Sequence, residues 1–264
     1  PGRTALEASG ELVTGEELGF SGSLILAINQ PSGFAAWLSR DVDEAIRRLP
    51  AAGFSADVEL GERRQSFRDL ELVLGASVFR GEIDNRQPED ARPSMALRLE
   101  GEGLDVDGMS AFASLFVSGS GQNRLEDHDL DFEIRAEEVR MAGVNAQSLD
   151  TAFRFRDGLL EIDRLEAMGL EGADVSASGS VRDLAGTPRG GIEARVNSAD
   201  LRRLITLAAE RLPDSRLVAE IVARVDAYPD LARDADLAIS VTSAAGERGA
   251  IALTASAEGR IGGN

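Results

Sequence analysis

Cysteine and lysine are absent from this chain of 264 residues, and histidine, tryptophan and tyrosine occur once each. Without lysine there is no Schiff-base amine and no G-x-x-x-x-G-K phosphate loop; without cysteine there is no thiol nucleophile, thiolate metal site or disulfide framework. Missing cysteine fits cytosol and periplasm alike. His128 is the lone imidazole, so a Ser-His-Asp triad would hang on one residue, and no G-x-S-x-G elbow accompanies it. Gly101-Glu102-Gly103 lacks the third glycine of a dinucleotide fingerprint. No catalytic residue, metal site or cofactor is expected.

Long apolar runs are also missing. No stretch reaches transmembrane length, and the amino end has no basic-then-apolar leader. What is abundant is negative charge: 46 acidic against 28 basic residues, a formal net charge of −18. That balance repels nucleic acid and anionic headgroups, so a membrane role would need tethering or apolar contact.

Period-two alternation dominates the chain. It runs through Phe54, Ala56, Val58 and Leu60, then Leu70 to Leu74, Met95 to Leu99, and Leu130 to Ala136. It continues at Phe153 and Phe155, Leu160 and Ile162, Val175 and Ala177, Ile192 to Val196, Ala235 to Val241, and Ile251 to Ala257. Asp, Glu, Arg and Ser fill the positions between, as in antiparallel sheet with one wet face. About a dozen or more strands follow, joined by turns such as Arg156-Asp157-Gly158. One block repeats: Ala5-Leu6-Glu7-Ala8-Ser9-Gly10-Glu11-Leu12 returns as Asp174-Val175-Ser176-Ala177-Ser178-Gly179-Ser180-Val181, with a weaker echo over Ala252–Gly259. Strand-rich repeats cannot bury their apolar faces singly, so neighbours extend one sheet.

Helical spacing follows groups of strands. Pro31-Ser32 opens a stretch with Phe34, Trp37 and Leu38 that restarts at an Asp41-x-x-Glu44 capping box. Asp107 or Gly108 opens a second with Met109, Phe112, Ala113 and Phe116, and Asp105 is a candidate cap. Ser198 is the candidate cap of a third, Leu201–Leu212, which Pro213-Asp214-Ser215 separates from a further helix with Ile221 and Val225. Loops are expected at Asp84–Pro93, Ser118–Asp127, Leu184–Arg189 and Ala244–Arg248. The chain thus divides into residues 1–50, the end of one unit with its helix; 51–128, a full unit; 129–234, a unit with a helical pair; and 235–264, the start of another.

The fold class expected is mainly β with inserted helices. A sheet of about a dozen strands spaced about 4.8 Å apart extends roughly 60 Å, more apolar face than a few short helices cover. It either closes on itself as a sandwich or barrel, or stays an open, curved antiparallel groove of five-strand-plus-helix units with a lining that meets an apolar ligand. Aromatics are only 5% of residues, while Ala, Gly and Ser recur on strands, and small linings leave space.

The succession Leu130–Arg135, Ser148-Leu149-Asp150, Thr151–Phe155, Asp157-Gly158-Leu159-Leu160-Glu161-Ile162, Leu165 to Leu170, Gly172 to Gly179, Pro188 to Val196 and Asp200-Leu201-Arg202-Arg203-Leu204 resembles the carboxy-terminal region of the AsmA-like family of Gram-negative envelope proteins, relatives of TamB and YhdP. The resemblance implies a periplasmic piece of a protein held in the inner membrane by an amino-terminal anchor not contained in these residues. It further implies bridge-type transfer of phospholipid towards the outer membrane, with acyl chains as ligand and outer-membrane proteins as further partners. Chain start at Pro1 within a strand pattern fits a piece of something longer.

The groove lining expected on this basis is Val58; Leu72 and Leu74; Leu97 and Leu99; Leu130, Phe132 and Ile134; and Phe153 and Phe155. It continues through Ile162, Val175 and Ala177; Ile192, Ala194 and Val196; Ile239 and Val241; and Leu253 and Ala255. The competing account is ordinary core packing in an envelope structural or interaction protein with a closed β-sandwich. Glu126-Asp127-His128-Asp129-Leu130-Asp131 is the densest ionisable cluster, and without D-x-D-x-D-G spacing it reads as a solvated acidic face.

Overall fold

The computed structural model describes residues 4–15, 18–38, 44–114, 128–141, 143–183, 187–211, 213, 215–245 and 251–261. Among these residues thirteen strands follow one another in the sheet in the order of the chain. They are β1 (Thr4–Val13), β2 (Gly19–Ile28), β3 (Ala52–Leu60), β4 (Arg64–Leu74), β5 (Ser77–Arg86), β6 (Ser94–Glu102), β7 (Asp129–Met141), β8 (Val144–Arg156), β9 (Leu159–Leu170), β10 (Ala173–Arg182), β11 (Arg189–Asp200), β12 (Arg233–Ala245) and β13 (Ile251–Arg260). The helices are α1 (Pro31–Trp37), α2 (Glu44–Arg48), α3 (Val106–Ser114), α4 (Arg202–Arg211) and α5 (Arg216–Ala227), with a 3₁₀ turn at Pro229–Ala232. The mainly β class with inserted helices is therefore what the chain adopts. Among the described residues the strands are ordered in one sheet, not in the two packed sheets of a sandwich.

By internal contacts the chain forms two compact units, Pro1–Gly143 with Arg154–Asp157, and Val144–Phe153 with Gly158–Asn264. In the first, β1 to β6 are antiparallel neighbours, but β6 and β7 run parallel, Met95 opposite Leu130 and Leu97 opposite Phe132. That corrects the wholly antiparallel expectation. A parallel pair needs a crossover, and α3 lies in the connection between these strands. β5 is a strand that alternation missed, because its apolar side is interrupted by Gly81 between Phe79 and Ile83 and ends at Asn85; it also takes Asp84–Arg86 out of the expected loop.

The helices cover one end of the apolar face. Ile28, Ala52 and Leu74 lie in one transverse row, and with Leu26 they pack against Ala35 of α1, Ile46 of α2 and Ala111 and Phe112 of α3. Asp105 caps α3 by accepting from Gly108 N–H at 3.0 Å, as its position suggested. Ser66 is buried on the opposite, charged side between the backbones of Glu59 and Asp84. In the second unit Ala173, Val196 and Ala235 pack with Leu201, and Leu204, Ile205 and Val225 close over them from α4 and α5.

The cap of α4 is Asp200, not Ser198: the Asp200 carboxylate accepts from Arg202 N–H at 3.0 Å. Ser198 is still inside β11, buried, its hydroxyl donating to the Gly172 carbonyl at 2.9 Å. Ser215 caps α5, accepting from Val218 N–H at 3.4 Å. Asp41, Phe116 and the Ser118–Asp127 loop lie outside the described residues.

Candidate functional site

Pairing registers sort the alternating residues into transverse rows. In the first unit one row reads Gly22, Val58, Phe67, Ile83, Leu97, Phe132 across β2 to β7. Leu72 and Leu74, Leu99 with Ile134, and Leu130 opposite Met95 share that face. In the second unit a row reads Ile162, Gly179, Ile192, Val241, Ala255 across β9 to β13, and the next reads Leu165, Ala177, Ala194, Ile239, Ala257. Val175 and Val196 are opposite one another one row further on, and Leu253 is opposite Ser243. Phe153 and Phe155 alternate along β8 with Arg154 and Arg156, and Arg156 turns to Asp131 at 3.8 Å on the charged side. Within each unit the expected lining residues of β3 to β7 and of β9 to β13 therefore share one face; the Leu253 side chain lies outside the described ones.

Their surroundings differ along that face. Val58, Leu74, Leu99, Leu130 and Val196 are buried and act as packed core, which takes them out of any open lining. Leu72 packs with the α1–α3 cluster, and Val175 and Ile239 with the α4–α5 cluster. Beyond the helix-covered ends, Leu97, Phe132, Ile162, Ala177, Ile192, Ala194 and Val241 are half-buried, and Ala255 is exposed. The second unit's uncovered row is thus built of Ile, Gly, Val and Ala.

The opposite face is a lattice of arginine and carboxylate. Arg68 meets Glu59 at 2.6 Å, Arg80 meets Glu71 at 2.9 Å, and Arg98 meets Glu82 at 2.5 Å and Glu133 at 3.6 Å, each pair linking neighbouring strands. Exposed pairs of this kind each contribute about 0.2–1 kcal/mol and chiefly fix register and solubility. The Arg86 guanidinium, bonded to Asp84, holds that carboxyl below its usual range, and Arg64 adds to the effect. Asp129 and Asp131 of the acidic cluster are held by Arg92 at 3.4 Å and Arg156 at 3.8 Å. Among the described residues no group of carboxylates or histidine is placed to hold a metal ion. Glu126 and Asp127 lie outside the described residues.

A depression of about 560 Å³ lies on this charged side of the second unit, between Glu166, Ser176, Arg195 and Glu258. Nothing in the alternation of the sequence pointed to it, because it depends on strand twist and side-chain length. Its lining mixes both signs of charge over a floor of serines.

Asp200 and Arg202 form the most strongly biased pair. Arg202 Nε donates to both Asp200 carboxylate oxygens at 2.9 Å, and this side-chain bonding, then the Arg202 backbone N–H, lowers the Asp200 pKa from 3.8 to about 2. A carboxyl depressed on folding stabilises fully above its unfolded pKa, and the contribution is lost as pH falls through the folded value. The window is therefore from 3.8 down to about 2. In an NMR titration Arg202→Ala should raise the Asp200 midpoint towards 3.8. A midpoint unmoved by Arg202→Ala would refute the pairing.

Comparison of the chain with protein-family models, with curated proteins and with solved structures finds no match.

Proposed function

We propose that the chain is the periplasmic segment of an AsmA-like bridge-type lipid transfer protein, conducting phospholipid along the apolar face of its sheet between inner and outer membranes. The observation that carries this is the division of each unit's apolar face. The helices cover one end, while rows such as Ile162–Gly179–Ile192–Val241–Ala255 continue beyond them, half-buried or exposed and low in bulky side chains.

Transfer of an acyl chain through water costs about 0.8 kcal/mol per CH₂, or about 12 kcal/mol for a chain of about sixteen carbons. A continuous strip of weak, similar contacts returns much of that without one deep trap. Headgroups stay in solvent, which suits a protein with a net charge of −18 and no lysine to clamp phosphate.

Lipid extraction and mass spectrometry of the purified chain test this. Phospholipid should copurify, and Phe132→Asp and Val241→Asp, one in each unit, should each lower the recovered amount by about tenfold, since a carboxylate displaces several methylenes' worth of contact. Circular dichroism establishes that the variants stay folded. Absence of lipid from the wild-type chain, or unchanged recovery from both folded variants, would refute the conduit.

A further inference from the structure

The charged sides of the two units are furnished differently. In the first, long partners stand beside one another on neighbouring strands, as Arg68 with Glu59 at 2.6 Å and Arg80 with Glu71 at 2.9 Å. In the second, the row across β9 to β13 reads Glu166, Ser176, Arg195, Ala238, Glu258. Small residues flank Arg195 on both sides, so the carboxylates of its row start two strands away, about 9–10 Å by strand spacing. The next row reads Ser178, Glu193, Ser240, Ser256. The depression of about 560 Å³ is the space that these short side chains leave. A hollow of about 400 Å³ continues it past Ser180 and Thr242, sharing Ser178, Glu193 and Ser240. The floor belongs to β10, β11 and β12, each of which has a strand on both sides.

The polar groups here are not consumed by the fold. Among the described residues the side chains of Arg195, Glu166, Glu193 and Glu258 enter no ion pair, and those of Ser176, Ser178, Ser240 and Ser256 make no hydrogen bond. Their chemistry selects a guest. An anion on Arg195 would sit beside Glu193, two residues along the same strand. A metal ion finds no converging carboxylates among the described residues. An apolar guest finds little to cover, because Leu165, Ala177, Ala194 and Ile239, which border the hollow, form a row of the opposite face. A neutral polyol suits the whole set: each of its hydroxyls can donate to a carboxylate and accept from guanidinium or serine, so interleaved donors and acceptors are used together.

We propose that this hollow binds a neutral saccharide chain, with Arg195 as its central donor, Glu193 as its central acceptor and the serines as its floor. Its volume falls within the range of small-molecule clefts, and the continuing hollow gives room for successive rings. No aromatic ring borders it among the described residues, so affinity comes from many exposed hydrogen bonds and is weak, with Kd about 1–10 mM. The site lies on the face opposite the acyl strip and does not depend on the lipid reading.

The test is amide-detected NMR of the whole chain, titrated separately with maltohexaose, cellohexaose and chitohexaose. At least one should shift the amides of Ser176–Ser178, Glu193–Arg195 and Ala238–Ser240 saturably. Arg195→Ala should weaken that binding about tenfold and Glu193→Gln about fivefold, while Arg98→Ala on the first unit leaves it unchanged. Both hollow side chains are exposed, and circular dichroism confirms that the variants are folded. No saturable shift with any of the three overturns the proposal, as does binding that neither Arg195→Ala nor Glu193→Gln weakens. Inorganic phosphate or spermine shifting the same amides at tenfold lower concentration would assign the hollow to an ion and overturn it as well.

Discussion

Phe79→Ala should destabilise the first unit by about 3–5 kcal/mol. The Phe79 side chain is fully buried, near the start of β5, with Leu72 on one side and Gly101 on the other. A Cβ on Gly101 would lie 2.6 Å from the Phe79 ring carbon Cδ1, so the ring fills the space that the glycine leaves. Truncation would open a cavity between two strands that pairing holds apart, and such a site collapses poorly. Phe79→Leu keeps most of the volume and should cost about 1–2 kcal/mol. Trp37, the single tryptophan, belongs to this unit and stacks at 5.8 Å on Phe34, so its fluorescence in a denaturant titration follows the first unit. A loss below about 1 kcal/mol for Phe79→Ala would show that the ring is not a keystone of the sheet.

This residue also marks where alternation stops being informative. β3, β6, β7 and β11 were legible because every second residue is aliphatic or aromatic over at least three steps. β5 was not, because its inner side reads Phe79, Gly81, Ile83, Asn85, and a glycine that admits a close neighbouring strand looks like a break in the pattern. The shared face of the candidate lining was legible for the same reason that the strands were. Which of those residues are packed was not: the cover on Leu74 and Val196 comes from α1–α3 and α4–α5, and helix placement over a sheet is a tertiary outcome.

The caps show a similar division. Asp105 precedes its helix at the spacing that one side chain can bridge, and it caps α3. Ser198 has the right chemistry but belongs to β11, which runs on to Asp200, so the cap moved to the next acceptor. The arginine lattice was invisible because Arg98 and Glu133 are brought together only by the parallel register of β6 and β7.

Gly179→Ala should cost the second unit about 3 kcal/mol or more, from backbone strain of about 1–3 kcal/mol and overpacking of about 1–3 kcal/mol. Gly179 has φ +148°, and its added Cβ would strike the Gly191 carbonyl and approach Ile192 Cα to 2.8 Å. Both are backbone atoms, so no side-chain rotation relieves the clash. The proper control is Gly158→Ala, where φ is +71° but a Cβ meets nothing within 4 Å; conformational strain alone should then cost about 1–2 kcal/mol. Hydrogen exchange of the β10 and β11 amides measures the difference within the unit. The comparison bears on function as well, because Gly179 stands in the uncovered Ile162–Val241 row. A methyl group there both separates the strands and fills the strip on which an acyl chain would lie. Equal costs at the two glycines would mean that the close strand approach at Gly179 is readily given up.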